Sequence, residues 1–159
     1  MPQLLRVHNF MLSRDGFGAG LNQCFERPFG DADQRALRLG GCDGQLGGSA
    51  GPGGTRGLDD YFTRDYYNNI GAEIMGRNKF SPYRGAWEDH PEWQGWWGGE
   101  EPPFHTPVFV MTHHERPSLT LGETTFHFVS DSPARVAEQA KAAAGGGKDV
   151  RLGGGGATT

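Results

Sequence analysis

Short apolar runs that end in glycine or polar residues constrain the fold of this chain most. Each run has the length and the β-branched or aromatic content of a buried strand. The runs are Leu4 to Leu12, Ile70 to Met75, Val108 to Thr112, Thr125 to Ser130 and Asp149 to Leu152. Helix patterns lie between several of them, so we expect an α/β fold with a central, mostly parallel sheet and helices on both faces.

Three segments carry the helix patterns. In the last of them, Ser132 is a good N-cap, Pro133 suits the first helical position, and Gly145 to Gly147 ends the helix. In the first, residues 59–69 place acidic residues before aromatic residues at helical spacing. A second helix is expected to begin at Asn78, with Pro82 cutting it short or kinking it.

Length, composition and charge limit the classes of protein to which this chain can belong. Its 159 residues predict a single domain, 1–159, and its net charge of −4 does not favour nucleic acid as a partner. No stretch approaches the roughly 18 apolar residues that cross a membrane. The N-terminus lacks the pattern of a signal peptide, and the two cysteines do not form a disulfide framework. We therefore expect a cytoplasmic protein without membrane contact.

Two long loops interrupt the strand and helix patterns. A Gly-rich loop at about 30–57 holds much of the chain's glycine and is either a plain insertion or a lid over a site. A Trp-rich loop at about 85–107 contains four tryptophans, of which Trp87 is the first. This loop either packs on the body of the protein through its aromatic rings, or forms a wall for a flat ligand or a dimer contact.

Two strand ends carry residues suited to anions. Gly76, Arg77 and Asn78 follow the second run, where glycine allows close approach of a phosphate and the guanidinium can bind it. A set of polar and cationic residues follows the third run and is suited to the 2′-phosphate that distinguishes NADPH from NADH. These residues are Thr112, His113, His114 and Arg116. The alternative to an anion site is an ordinary turn for the first segment and a solvated loop for the second.

A third strand end is rich in glycine. Gly153, Gly154, Gly155 and Gly156 follow the last run, and Ala157 and Thr158 come next. Glycines after a strand allow a tight turn and close contact with a dinucleotide, although a flexible tail has the same composition. Ligands of open α/β sheets bind at the carboxyl ends of the strands, so the three segments together predict a nucleotide site there.

No metal site is expected from the histidines. His113 and His114 are adjacent, and adjacent residues of an extended chain point in opposite directions. The histidines at 8, 90, 105 and 127 show no spacing typical of metal ligands.

Five segments resemble the dihydrofolate reductase superfamily, in particular the bacterial branch related to the reductase domain of the riboflavin-biosynthesis deaminase-reductase. The segments are LLRVHNFMLSRDGF, GAEIMGRNKFSP, TPVFVMTHHERP, TFHFVSDS and DVRLGGGGATT. The resemblance covers most of the chain outside residues 30–57. It implies a three-layer fold, NADPH as cofactor and a homodimer. It also implies that Ser13, Asp15 and Gly16 border the nicotinamide and the substrate.

The chain also departs from that superfamily. Relatives continue past the glycine turn with a further helix and strands, so the C-terminal strands are expected to be missing here. Dihydrofolate reductases place a carboxylate on the helix before the Gly-Arg strand, and Asp60 lies near that position but off register. Its alternative role is to add negative charge at the N-terminus of a helix. Folate reduction is thus not supported.

The residues and the resemblance together predict an NADPH-dependent reductase that transfers a hydride to a small heterocyclic or carbonyl substrate. Tyr61 and Trp87 are candidates for the wall of the substrate pocket, and Asp60 is the candidate catalytic carboxylate. A non-catalytic nucleotide-binding protein of the same fold and a homodimeric module remain as alternatives.

Overall fold

The computed structural model describes residues 2–7, 15–32, 68–97 and 101–154. The chain divides into two compact units, one of residues 1–7 and 70–159 and the other of residues 8–69. In the second unit, residues 15–32 form turns in which Cys24 and Arg27 make a short antiparallel bridge. That these units form one domain stays a prediction. The candidate site described below belongs to the first unit.

The first unit contains six strands and two α-helices among its described residues, with a 3-10 turn at Trp87–Asp89. In chain order they are β1 (Leu5–Val7), β2 (Ile70–Gly76), α1 (Arg77–Phe80), β3 (Pro107–Met111), β4 (Leu119–Leu121), β5 (Thr124–Val129), α2 (Pro133–Ala143) and β6 (Asp149–Gly153). The strands form one sheet in the order β1-β6-β2-β3-β5-β4. All neighbouring pairs are parallel except β4 and β5, which confirms the α/β class with a mostly parallel sheet.

Local sequence explains where the helices begin and end. The Ser132 side chain accepts a hydrogen bond from the Arg135 amide, so α2 begins at the predicted cap. The first helix begins at Arg77, one residue before the predicted start, and ends at Phe80, because Ser81 adopts an extended conformation immediately before Pro82. The helix predicted over 59–69 lies outside the described residues except for its last two positions.

Each face of the sheet has its own apolar cluster. On one face, Val136 and Ala140 of α2 pack against Ile74, Phe109 and Val150. On the other face, Phe80 contacts Phe126 and Phe128 with ring centroids 5.1 and 5.0 Å apart. That second cluster also contains Trp87, Trp93 and Phe104 from the Trp-rich loop. The loop therefore packs on the body of the first unit through its aromatic rings.

Gly71 lies where β2 passes the end of α2. A β-carbon at this position would meet the Ala144 carbonyl oxygen and would lie 2.7 Å from the β-carbon of Lys148. We expect Gly71→Ala to lower the free energy of unfolding by about 1–3 kcal/mol, because backbone atoms must move to admit the methyl group. Urea denaturation monitored by tryptophan fluorescence measures this loss. An unchanged denaturation midpoint and slope would show that Gly71 does not pack closely against the end of α2.

Candidate functional site

The three predicted strand-end segments reach the same edge of the sheet. In the strand register, Gly76 pairs with Met111, Met75 with Gly153, and Met111 with Val129. The residues that follow β2, β3, β5 and β6 therefore leave the sheet side by side at its carboxyl edge. Parallel topology produces this convergence, since every one of these strands ends at the same side.

An open groove of about 480 Å³ lies at this edge. Six of the predicted cofactor-binding residues line it, and they come from the ends of β2 and β3. These six residues are Gly76, Arg77, Asn78, Thr112, His113 and His114. The end of β5 and the loop after α1 supply the rest of the lining, including Arg84. The structure thus brings two of the three predicted segments into one cavity.

Thr112 shapes the turn that carries the two histidines. Its amide donates to the Val129 carbonyl at 2.9 Å, and its hydroxyl oxygen accepts from the His114 amide at 3.1 Å. The residue is largely buried, whereas His113 and His114 are exposed. The hydroxyl therefore stabilises the turn, and the imidazoles are the groups of this segment that are accessible to a ligand.

Arg77 lies between the groove and the aromatic cluster. Its guanidinium carbon is 3.8 Å from the centre of the Trp87 ring, and its Nη1 donates to the Gly85 carbonyl. Its Nε and Nη2 are buried and have no hydrogen-bond partner among the described residues. Burial lowers the pKa of Arg77. A half-buried guanidinium in the lining of a groove is suited to an incoming anion.

Arg116 does not line the groove. It donates to the Trp93 carbonyl at 3.3 Å, and its guanidinium carbon lies 5.1 Å from the centre of the Phe128 ring and 5.3 Å from that of Trp87. Burial against these rings lowers its pKa. The predicted contact of Arg116 with a 2′-phosphate stays a prediction. In this structure the exposed arginine of the groove is Arg84.

Trp87 contacts two of the residues that line the groove, Arg77 and His114. It is 5% exposed, its indole N–H donates to the His114 carbonyl, and its ring meets Phe80 and Phe128 edge-on at 5.9 and 5.2 Å. The side chain links the loop after α1 to the turn after β3. The proposed role of Trp87 as a substrate wall stays a prediction, since its ring is covered here.

A cluster of buried charges lies beside Gly153, at the end of β6. Glu73 and Arg151 are paired in the register of β2 and β6, and each side chain is 1% exposed. Arg151 Nη2 contacts Glu73 Oε1, while Lys79 Nζ lies 4.0 Å from Glu73 Oε2. Lys79 also covers the position that a β-carbon on Gly153 would take.

The three charges affect one another. Burial raises the pKa of Glu73, and the positive charges of Arg151 and Lys79 oppose that rise. Burial lowers the pKa of Lys79. One carboxylate thus faces two cations beside the first glycine of the turn.

Several predicted site residues are not placed in the groove by this structure. Gly153 and Gly154 are described but do not line it. Asp15 and Gly16 belong to the second unit. The remaining positions lie outside the described residues, and their predicted roles stay predictions: Ser13, Asp60, Tyr61, Gly155, Gly156, Ala157 and Thr158.

Three polar or charged lining residues were missed by sequence reasoning. Arg84 follows Pro82 and Tyr83 in a loop that shows no anion motif, Ser130 was noted only as the end of a predicted strand, and Asp131 comes directly after it. Their position follows from the parallel pairing of β5 with β3, which places the end of β5 beside Thr112. The Asp131 carboxylate accepts a hydrogen bond from the Ser132 amide at 2.7 Å and forms an ion pair with Arg135 Nε at 3.2 Å.

A comparison with protein-family models and with curated proteins finds no match to this chain. Over the described residues, no helix combines the length and the hydrophobicity that spanning a bilayer requires.

Proposed function

We propose that this chain binds NADPH at the carboxyl edge of its sheet and is an NADPH-dependent reductase of the dihydrofolate-reductase-like, three-layer type. Its substrate would be a small heterocyclic or carbonyl compound. The observation that carries the proposal is the convergence of the ends of β2, β3 and β6, which the sequence predicted as three phosphate-binding segments. Open α/β sheets bind their ligands at this edge.

The chemistry of the groove fits a nucleotide phosphate. Two arginines, two histidines and one aspartate line the groove. The carboxylate of the aspartate already accepts a hydrogen bond from the Ser132 amide and forms an ion pair with Arg135. Arg77 has buried donors that no described residue satisfies. Gly76 and Gly85 present backbone without side chains, so a phosphate can approach closely.

The side chains that line the groove suggest how the roles are divided. Arg77 and Asn78 would hold the diphosphate, and Arg84, His113 and His114 would surround the 2′-phosphate. When bound, NADPH would supply the hydride, and the protein would orient it and exclude water. The positive charge of Lys79, whose side chain covers Gly153, would favour an anionic group there.

Arg84→Ala tests the assignment of the groove. We expect the variant to bind NADPH about tenfold more weakly while its affinity for NADH changes little, because Arg84 is the exposed arginine in the groove. Quenching of tryptophan fluorescence during titration with each dinucleotide measures both affinities. Lys148→Ala is the matched control, since it removes a positive charge next to the amino end of β6.

One further variant, Arg116→Ala, decides between the candidate cations. If Arg116→Ala abolishes the preference for NADPH and Arg84→Ala preserves it, the 2′-phosphate lies at Arg116, as the sequence alone suggested. Equal affinities of the unmodified chain for NADPH and NADH would contradict a 2′-phosphate site altogether. Oxidation of NADPH across a panel of heterocyclic and carbonyl compounds then separates a reductase from a protein that only binds the nucleotide.

A further inference from the structure

Three metal-ligating side chains converge away from the groove, where the Trp-rich loop meets the turn between β4 and β5. His105 Nδ1 lies 3.2 Å from Glu101 Oε1 and 3.4 Å from Glu123 Oε2. One donor atom from each residue lies within 4.8 Å of the other two. The sequence hides this cluster, because Glu123 is separated from His105 along the chain and the histidines alone show no ligand spacing.

The backbone on both sides is shaped to bring these groups together. Gly122 has a φ of +55°, and a β-carbon there would lie 2.8 Å from Glu101 Cγ, so only glycine leaves room for the Glu101 side chain. His105 has a φ of +50°, which is uncommon for a residue with a side chain. Its amide donates to the hydroxyl of Thr124 at 3.0 Å, and Thr124 is fully buried.

The charges in the cluster favour the binding of a cation. Two carboxylates face a single imidazole, and neither has a lysine or arginine within 4.0 Å among the described residues. Two carboxylates this close repel each other unless a positive charge lies between them. A divalent metal ion would neutralise both.

We propose that Glu101, His105 and Glu123 form a zinc site. Zinc binds imidazole nitrogen and carboxylate oxygen at about 2.0–2.2 Å in tetrahedral geometry, which places donor atoms about 3.4 Å apart. The two distances from His105 Nδ1 match this spacing. Imidazole favours zinc over magnesium and calcium, and the fourth position is open to water. The ion would join the loop at 101–106 to the β4–β5 turn.

Calorimetric titration of the full chain with Zn²⁺ tests the proposal. We expect one ion per chain, and at least tenfold weaker binding in Glu101→Gln, Glu123→Gln and His105→Asn. Asparagine tolerates a positive φ, so the last variant keeps the backbone of position 105. Glu92→Gln is the control, because Glu92 faces His90 at 4.0 Å and no third ligand joins them among the residues that the structure describes. Zinc binding of equal strength in all four variants would overturn the proposal.

A measurement on the unmodified chain makes the test independent of the variants. The ring resonances of His105 are expected to shift when Zn²⁺ is added, while those of His90 remain in place. No shift at His105 at millimolar Zn²⁺ would overturn the site. The proposal does not depend on nucleotide binding, so failure of one leaves the other intact.

Discussion

Replacing Glu73 with glutamine is expected to lower the free energy of unfolding by about 3–5 kcal/mol. The carboxylate is buried, contacts Arg151 and faces Lys79, so its removal leaves two cations near each other without their negative partner. An amide fills nearly the same volume, which means that the loss reports charge and not packing. Urea denaturation followed by circular dichroism measures it.

A double variant separates a buried ion pair from ordinary packing at Glu73. Glu73→Met combined with Arg151→Met removes both buried charges, and we expect it to be far closer in stability to the unmodified chain than Glu73→Gln is. Lys79 keeps partial access to solvent in that background. Glu92→Gln on the surface is the control and is expected to change stability by less than about 0.5 kcal/mol. A loss below about 1 kcal/mol in Glu73→Gln would contradict this account.

Trp87→Ala is expected to lower stability by about 3–5 kcal/mol and also to weaken nucleotide binding. The ring is buried between Phe80 and Phe128, and the guanidinium of Arg77 stacks on it. Without the ring, Arg77 loses the surface that positions it at the groove. Denaturation midpoints and NADPH titrations on the same variant measure the two effects.

Trp87→Phe distinguishes packing from hydrogen bonding at this position. Phenylalanine keeps an aromatic surface for Arg77 but cannot donate to the His114 carbonyl, so we expect a smaller loss, about 1–2 kcal/mol. Binding of NADPH should then fall less than in Trp87→Ala. If Trp87→Ala left both stability and binding unchanged, Trp87 would not support the groove.

Local sequence rules predicted much of the sheet. β2, β3, β5 and β6 begin and end within about two residues of the predicted runs, because apolar residues, turns and the Ser132 cap act over short distances. β4 was missed, since Leu119–Leu121 is short and becomes a strand through its pairing with β5. The pairing of Glu73 with Arg151 likewise depends on the sheet register, which no local pattern specifies.

The candidate site was predicted in part. Parallel topology is enough to place Gly76, Thr112 and Gly153 at one edge once the strands are known. Which cation turns toward the groove depends on packing that a sequence does not show. Arg116 lies near Trp87 and does not line the groove, whereas Arg84, in a loop without a recognisable motif, lines it together with Arg77.

A crystal structure of the chain soaked with NADPH would show whether the carboxyl edge of the sheet binds a dinucleotide. We expect the diphosphate beside Gly76 and Arg77, with the adenosine end near His113 and Ser130. A nucleotide bound on another side of the first unit, or none at saturating concentration, would contradict this prediction.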